Sequence, residues 1–515
     1  MLGFWSEVET SETRYDERDR RGRLRNIVGA LFGTPGRSAV TSAAALFFVV
    51  LGYVVLLPSG IFDDNEFVPT PWEEWGIPGD PPAERPLISE WFDQSTIWQE
   101  AERLREMSGV RRAVDLLPED AEVSEEDFAK ALALLEAQAE AAIELTRVAA
   151  DYSLWSLSEA PNFDISAVNV PIGEIQRAFH RLISMSLAGE QTGREAGEWL
   201  DHYGAFIAAL LPLGDSSQNG NVVVHIVASN FFYCVEELIA RQDGRASDVF
   251  ANLRRHLATI EKSSVNGIAR ATYGSAREGG LWLKEHAVPG RAWADPVAAA
   301  RDLGIYFDFL EDLPVWLGWA EAPAYWWAVS RVQQNRTKAL LEDYYREQVQ
   351  WLQLPASERL ASDRADALGW REFLDPRPNA IGERIVSDYE LGYIQVLGRR
   401  ELLTRTTANM LDTTLAIAQW REAGGGPGLP ATLAELVPEF LDGIPVDALS
   451  GEPLGYDAAR GMLWAVGIDG VDSGGVRPVT FRALIHELHR EGGSGTLDLW
   501  RIFQIEPDNG ARDVE

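Results

Sequence analysis

A single cysteine, Cys234, stands in the 515 residues, so no internal disulfide and no cysteine-based zinc site can form. Within "FFYCVEEL" it reads as a small buried apolar side chain. Positive charge is also scarce: 46 Lys and Arg face 79 Asp and Glu, a formal net charge of -33. No long basic run occurs beyond the N-terminus. Without a basic face a phosphate backbone has nothing to bind, and nucleic acid is excluded as a partner. Several catalytic signatures are missing as well, among them a G-x-S-x-G elbow, a Walker loop and a dinucleotide fingerprint. "GGGPG" (424–428) has the glycines of a phosphate loop without its lysine. Neighbouring acids such as Glu73-Glu74, Glu125-Glu126 and Glu236-Glu237 point in different directions on a helix and read as solvated faces.

What the sequence does hold is one long charge-free run, "SAVTSAAALFFVVLGYVVLL" (38–57). Twenty helical residues rise about 30 Å, the thickness of a hydrocarbon core. Arg14, Arg18, Arg20, Arg21, Arg23, Arg25 and Arg37 precede it, whereas Asp63, Asp64, Glu66, Glu73, Glu74 and Asp80 follow. Basic flanks stay on the cytoplasmic side, so the N-terminus is expected inside and the bulk outside. The apolar core is too long for a cleaved signal peptide. The expectation is a single-pass signal anchor in the inner membrane, with the bilayer as partner through 38–57. In a Gram-negative cell the bulk would occupy the periplasm.

The expected organisation is a basic cytoplasmic tail (1–37), the transmembrane anchor (38–58) and a Pro- and acid-rich linker (59–86). A large helical extracytoplasmic domain (87–379) follows, then a long helix with a small α+β module (380–492), and a C-terminal tail (493–515). The class is mainly α. Leu132, Leu135 and Ala139 share one face at helical spacing. Residues 173–211 repeat the theme twice, broken at Gly189 and Gly193. "NVVVHIVASNFFYCVEELIAR" is apolar on most sides and is expected to be a central helix. The densest aromatic stretch, 306–327, reads as core or a seam between helices.

Helical spacing continues from Ala380 to Arg421 and stops at the glycines of 424–428. Thr432 and Glu435 form a capping-box pair for a short helix, and strands are expected around Leu454–Tyr456 and in "GMLWAVG". The run "LPATLAELVPEFLDGIPVDALSGEPLGYDAARGMLWAVGIDGVDSGG" resembles the C-terminal half of the major pseudopilins of type II secretion. Asp447, Ser450, Gly451, Pro453, Tyr456, Val466, Gly467, Asp469 and Gly470 occupy the matching places. The layout also resembles a group of uncharacterised bacterial membrane-anchored helical proteins that end in the same module. The membrane segment lacks the pilin glutamate and lies several hundred residues before the module, so the chain is not a pilin subunit.

In pseudopilins the acid-glycine loop can hold calcium, which takes several oxygen ligands. The resemblance implies Asp469, with Asp472 and Ser473 behind it, as ligands here. The family's later acids have no counterpart, and Arg477 follows; an Asp-Gly pair also makes a tight turn without metal. Both readings stand. His486 and His489 share a helix face at three-residue spacing but depart from H-E-x-x-H, and read as surface. The function expected is a non-enzymatic interaction or assembly protein of the cell envelope with a protein partner. The alternative is an envelope hydrolase with dispersed catalytic acids, near Trp316–Trp327.

Overall fold

Ser95 and Ser124 open two of the helices by the same device. The Trp98 amide donates to Ser95 Oγ at 3.3 Å and the Asp127 amide to Ser124 Oγ at 3.1 Å. Each serine satisfies one of the N–H groups that a helix start leaves orphaned. The computed structural model describes most of 67–286, 332–361 and 393–466, with short pieces within 295–298, 379–386, 472–479 and 498–502. The expected anchor at 38–57, the aromatic stretch 306–327, and His486 and His489 lie outside the described residues.

The protein is mainly α. Helices α1 (Ile88–Gln94), α2 (Thr96–Glu106), α3 (Glu125–Val148), α4 (Ser166–Leu187), α5 (Ala196–Gly214), α6 (Gln218–Arg241) and α7 (Ser247–His286) come first. Then follow α8 (Gln334–Leu352), α9 (Ala356–Ala361) and α10 (Tyr393–Trp420). Among the described residues four short strands follow: β1 (Gly455–Asp457), β2 (Met462–Ala465), β3 (Pro478–Val479) and β4 (Asp498–Ile502). They form one sheet in the order β1-β2-β4-β3, antiparallel except for the β3–β4 pair.

By its contacts the chain divides into two units. One takes in Met1–Glu66, Ala287–Arg336 and Trp370–Glu383. In it, buried Asn379 adopts φ 63° and its side-chain oxygen accepts from the Gln333 amide at 2.9 Å. The other takes in Phe67–His286, Thr337–Gly369 and Arg384–Glu515, and holds the bundle and the sheet.

In that larger unit α6 is central, touching α4, α5, α7 and α10. Its stretch Val223–Ala240 is the one described segment long and apolar enough to cross a membrane, and half of it is buried. Phe231, Phe232, Cys234, Val235 and Leu238 are sealed in the core, which accounts for the apolar composition. Phe179 of α4 stacks on Tyr203 of α5 at 4.8 Å, and the Tyr203 hydroxyl donates to the Val227 carbonyl of α6 at 3.1 Å. A buried phenol thus keeps its hydrogen bond while its ring fills the core.

Glycine lets α5 lie close on α7. A Cβ at Gly204 would stand 2.6 Å from the His256 ring, and one at Gly197 would stand 2.8 Å from Val249. Helix α10 then fills the groove along α7 and α6. Its Leu402, Leu403, Leu411 and Leu415 join the same core as the helices before it, as do Leu436, Leu449 and Leu463 of the C-terminal module.

Within the stretch expected to be a linker, residues 67–78 are docked. Trp72 and Trp75 are buried with ring centroids 4.7 and 5.0 Å from that of Tyr273 on α7, both edge-on. The Thr70 amide donates to Glu342 of α8 at 2.7 Å, and Gln353 donates to the Gly76 carbonyl at 2.9 Å. Proline and acid content suggests a linker, but two tryptophans in four residues bury too much surface to remain in water.

Candidate functional site

The long helix α10 ends where Gly424, at φ 98°, takes a conformation open to glycine. The chain then turns back on α10. Thr432 and Glu435 make the expected capping box on a single short turn, Leu433–Leu436. Beyond it the segment Phe440–Val446 runs past α10, tied by Asn409 Nδ2, which donates to the Val446 carbonyl at 2.9 Å.

Asp447 fixes this return. It is 1% exposed, yet both carboxylate oxygens are satisfied. Oδ1 accepts from the Thr406 hydroxyl at 3.0 Å and from the Leu449 amide at 2.9 Å. Oδ2 accepts from the Ser450 hydroxyl at 2.9 Å and the Val466 amide at 3.0 Å. The Asp447 carbonyl receives the Gly451 amide at 2.8 Å, with Gly451 at φ 78°. One buried carboxylate therefore joins helix α10, the 447–451 turn and the end of strand β2. A buried charge persists when hydrogen bonds replace its lost water.

The return leaves a cleft of about 1010 Å³ between α7, α10 and the Phe440–Val446 segment. Across its floor Arg254 of α7 donates to Asp412 Oδ1 at 2.7 Å and to the Gln419 side-chain oxygen at 2.9 Å. Burial raises the Asp412 pKa; Arg254 acts against that, and the negative charge of Asp442 adds to it. Glu422, Glu439 and Asp442 line the cleft from exposed positions, and Arg255 stands opposite with its guanidinium on Asn252 at 2.8 Å. Ile444 and Val446 show 50% and 42% of their surfaces at its edge.

Sequence reasoning did not single out these residues. The available signal is Asp412 itself, a lone acid amid Met410, Leu411, Leu415 and Ile417. Its partner Arg254 lies 158 residues away, a pairing that only the α7–α10 contact brings about.

Of the expected calcium ligands, Asp472 is described and exposed, whereas Asp469 and Ser473 lie outside the described residues. Asp472 Oδ1 accepts from the Trp464 indole at 2.9 Å and from the Gly474 amide at 2.8 Å. The Gly474 carbonyl in turn receives Arg460 at 3.2 Å, and Gly474 is at φ 66°. Asp472 therefore closes a turn and holds the indole of β2. Among the described residues no three His, Cys, Asp or Glu side chains gather as a metal site would require.

Elsewhere the bundle buries further polar groups in pairs. Arg359 of α9 meets Glu401 of α10 at 2.9 Å with both side chains nearly sealed, and Arg405 reaches the other Glu401 oxygen at 3.1 Å. His225 of α6 shares a hydrogen bond with Thr404 of α10 at 3.0 Å, and burial drives its pKa down to about 4, helped by Arg400. Burial likewise raises the Cys234 pKa, so the thiol is inert, as its apolar setting suggests. No protein-family model, curated protein or solved structure matches the chain.

Proposed function

We propose that the chain is a membrane-anchored extracytoplasmic protein of the cell envelope that acts by binding another protein. The charge-free run 38–57 is its anchor, with the arginine-rich tail in the cytoplasm and the helical body in the periplasm or outside. The observation that carries the reading is the cleft beside α7 and α10, where exposed aliphatic side chains border a charged floor on a stapled support. Aliphatic groups exposed together at a concave edge are what an interface covers.

The C-terminal module is proposed to share the globular end of the major pseudopilins. Support comes from the long helix, the return through a glycine stop, the Asp447 turn and the antiparallel β1–β2 pair that follow one another here. The test is purification of tagged full-length protein from its host in mild detergent. Secretion or pilus components are expected with it, and recovery of the protein alone would overturn the binding reading.

A second reading, an envelope hydrolase, is favoured by one observation: Asp412 has a raised pKa in a cleft that also holds Asp442. Two carboxylates facing one cleft are the arrangement glycoside hydrolysis uses. Turnover of envelope polysaccharide that Asp412→Asn and Asp442→Asn each abolish would establish it.

A further inference from the structure

We infer that the cleft between α7, α10 and Phe440–Val446 is a docking groove for a basic, aliphatic polypeptide segment of a partner protein. The inference rests on the binding reading above and adds the place and the chemistry of the partner. At about 1010 Å³ the groove stands at the upper end of small-molecule sites, which run to about 1,000 Å³. It has room for a stretch of polypeptide.

Charge selects the occupant. Arg254 is engaged by Asp412 and Gln419, and Arg255 rests on Asn252. Exposed Glu422, Glu439 and Asp442 leave the groove with more acid than base. An incoming Lys or Arg meets these carboxylates, and an incoming acid meets repulsion, so the groove discriminates by sign. Shape selects too. Ile444 and Val446, half-exposed on either side of Pro445, offer aliphatic contact beside the charged floor. Asp447 and Asn409 hold this wall in place, so little order has to be bought on binding.

The probe is a fluorescent 18-residue peptide carrying Lys and Leu at helical spacing, with a Glu/Leu peptide of the same pattern as control. Full-length protein in nanodiscs of zwitterionic lipid is titrated at physiological salt. Saturable binding of the Lys/Leu peptide is expected, weakened about tenfold by Ile444→Asp and by Asp442→Lys, each at an exposed position. Glu126→Lys, equally exposed on α3, which packs on α2, α4 and α5 and not on the groove's α7 and α10, is expected to change binding by less than about twofold, because screened charges act over roughly 10 Å. Unchanged melting curves verify that the variants fold, with Val446→Ala as a milder substitute.

Equal weakening by Glu126→Lys, equal binding of the Glu/Leu peptide, or indifference to the groove variants would overturn the inference. Host purification separates the two levels. A partner retained by both wild type and Ile444→Asp refutes the groove while sparing the binding reading. A partner lost only by the variant supports both. With no partner at all the binding reading falls, and the peptide titration still decides the groove.

Discussion

The Val466 amide donates to Asp447 Oδ2 at 3.0 Å, so the end of strand β2 hangs from a turn that the chain passed nineteen residues earlier. The same carboxylate accepts from Thr406 on α10, which makes it the joint between helix and sheet. Asp447→Ala is expected to destabilise the protein by about 3–5 kcal/mol, because buried donors on Leu449 and Val466 lose their acceptor. Asp447→Asn keeps one oxygen but turns an NH₂ toward other donors, and should fall between the two. Thermal unfolding of the full-length chain measures both. Parity of Asp447→Ala with wild type would show that the joint carries no stability.

Much of this architecture is legible from residue patterns. Gly189 and Gly193 separate α4 from α5 where the pattern breaks, and the all-round apolar character of 221–241 marks the helix that touches four others. Thr432 and Glu435 pair as their spacing implies. Long-range partners are not legible. Nothing near Arg254 names Asp412, and nothing near Thr406 names Asp447, because helix–helix docking sets these pairs at separations of 158 and 41 residues. The docked turn at 67–78 escapes notice for a different reason: proline and acid dominate its composition, while two tryptophans dominate its energetics.

Helix α5 reaches α7 through Gly204, whose absent Cβ leaves space for His256. Gly204→Ala would place a methyl group 2.6 Å from that ring, which Asp201 holds by a 2.8 Å bond to Nε2. Overpacking of this kind should cost about 1–3 kcal/mol. Gly280→Ala, in α7 with nothing within 4 Å, should instead stabilise by about 0.5–1 kcal/mol, since alanine suits a helix better. Opposite shifts in melting temperature are the expected pair of results; a stable Gly204→Ala would show that the two helices separate at little cost.

His225 gives the fold an acid-sensitive point. Its pKa falls from 6.5 unfolded to about 4 folded, because burial disfavours the charged ring and Arg400 repels it. The unfolded chain therefore binds the proton more tightly. Stability from this group is fully present above pH 6.5 and is lost as pH falls toward 4, by up to about 3 kcal/mol. His225→Asn, which can keep a bond to Thr404, should flatten that part of the stability profile. Identical slopes for wild type and variant between these pH values would assign the acid response to other groups.

At the acid-glycine loop a metal ion and a plain turn make opposite predictions, and Asp472 favours the turn. Its Oδ1 already serves the Trp464 indole and the Gly474 amide, while Arg460 occupies the Gly474 carbonyl that a cation would seek. A calcium ion bound through Oδ1 would share that oxygen with two donors and approach a guanidinium, against the ion's demand for several unencumbered oxygens. Millimolar calcium is therefore expected to leave the melting temperature unchanged. Asp472→Ala is expected to cost about 1–2 kcal/mol with or without calcium, and to alter Trp464 fluorescence. A saturable calcium-induced rise in melting temperature that Asp469→Ala abolishes would reverse this conclusion and restore the ligand set that the pseudopilin resemblance implies.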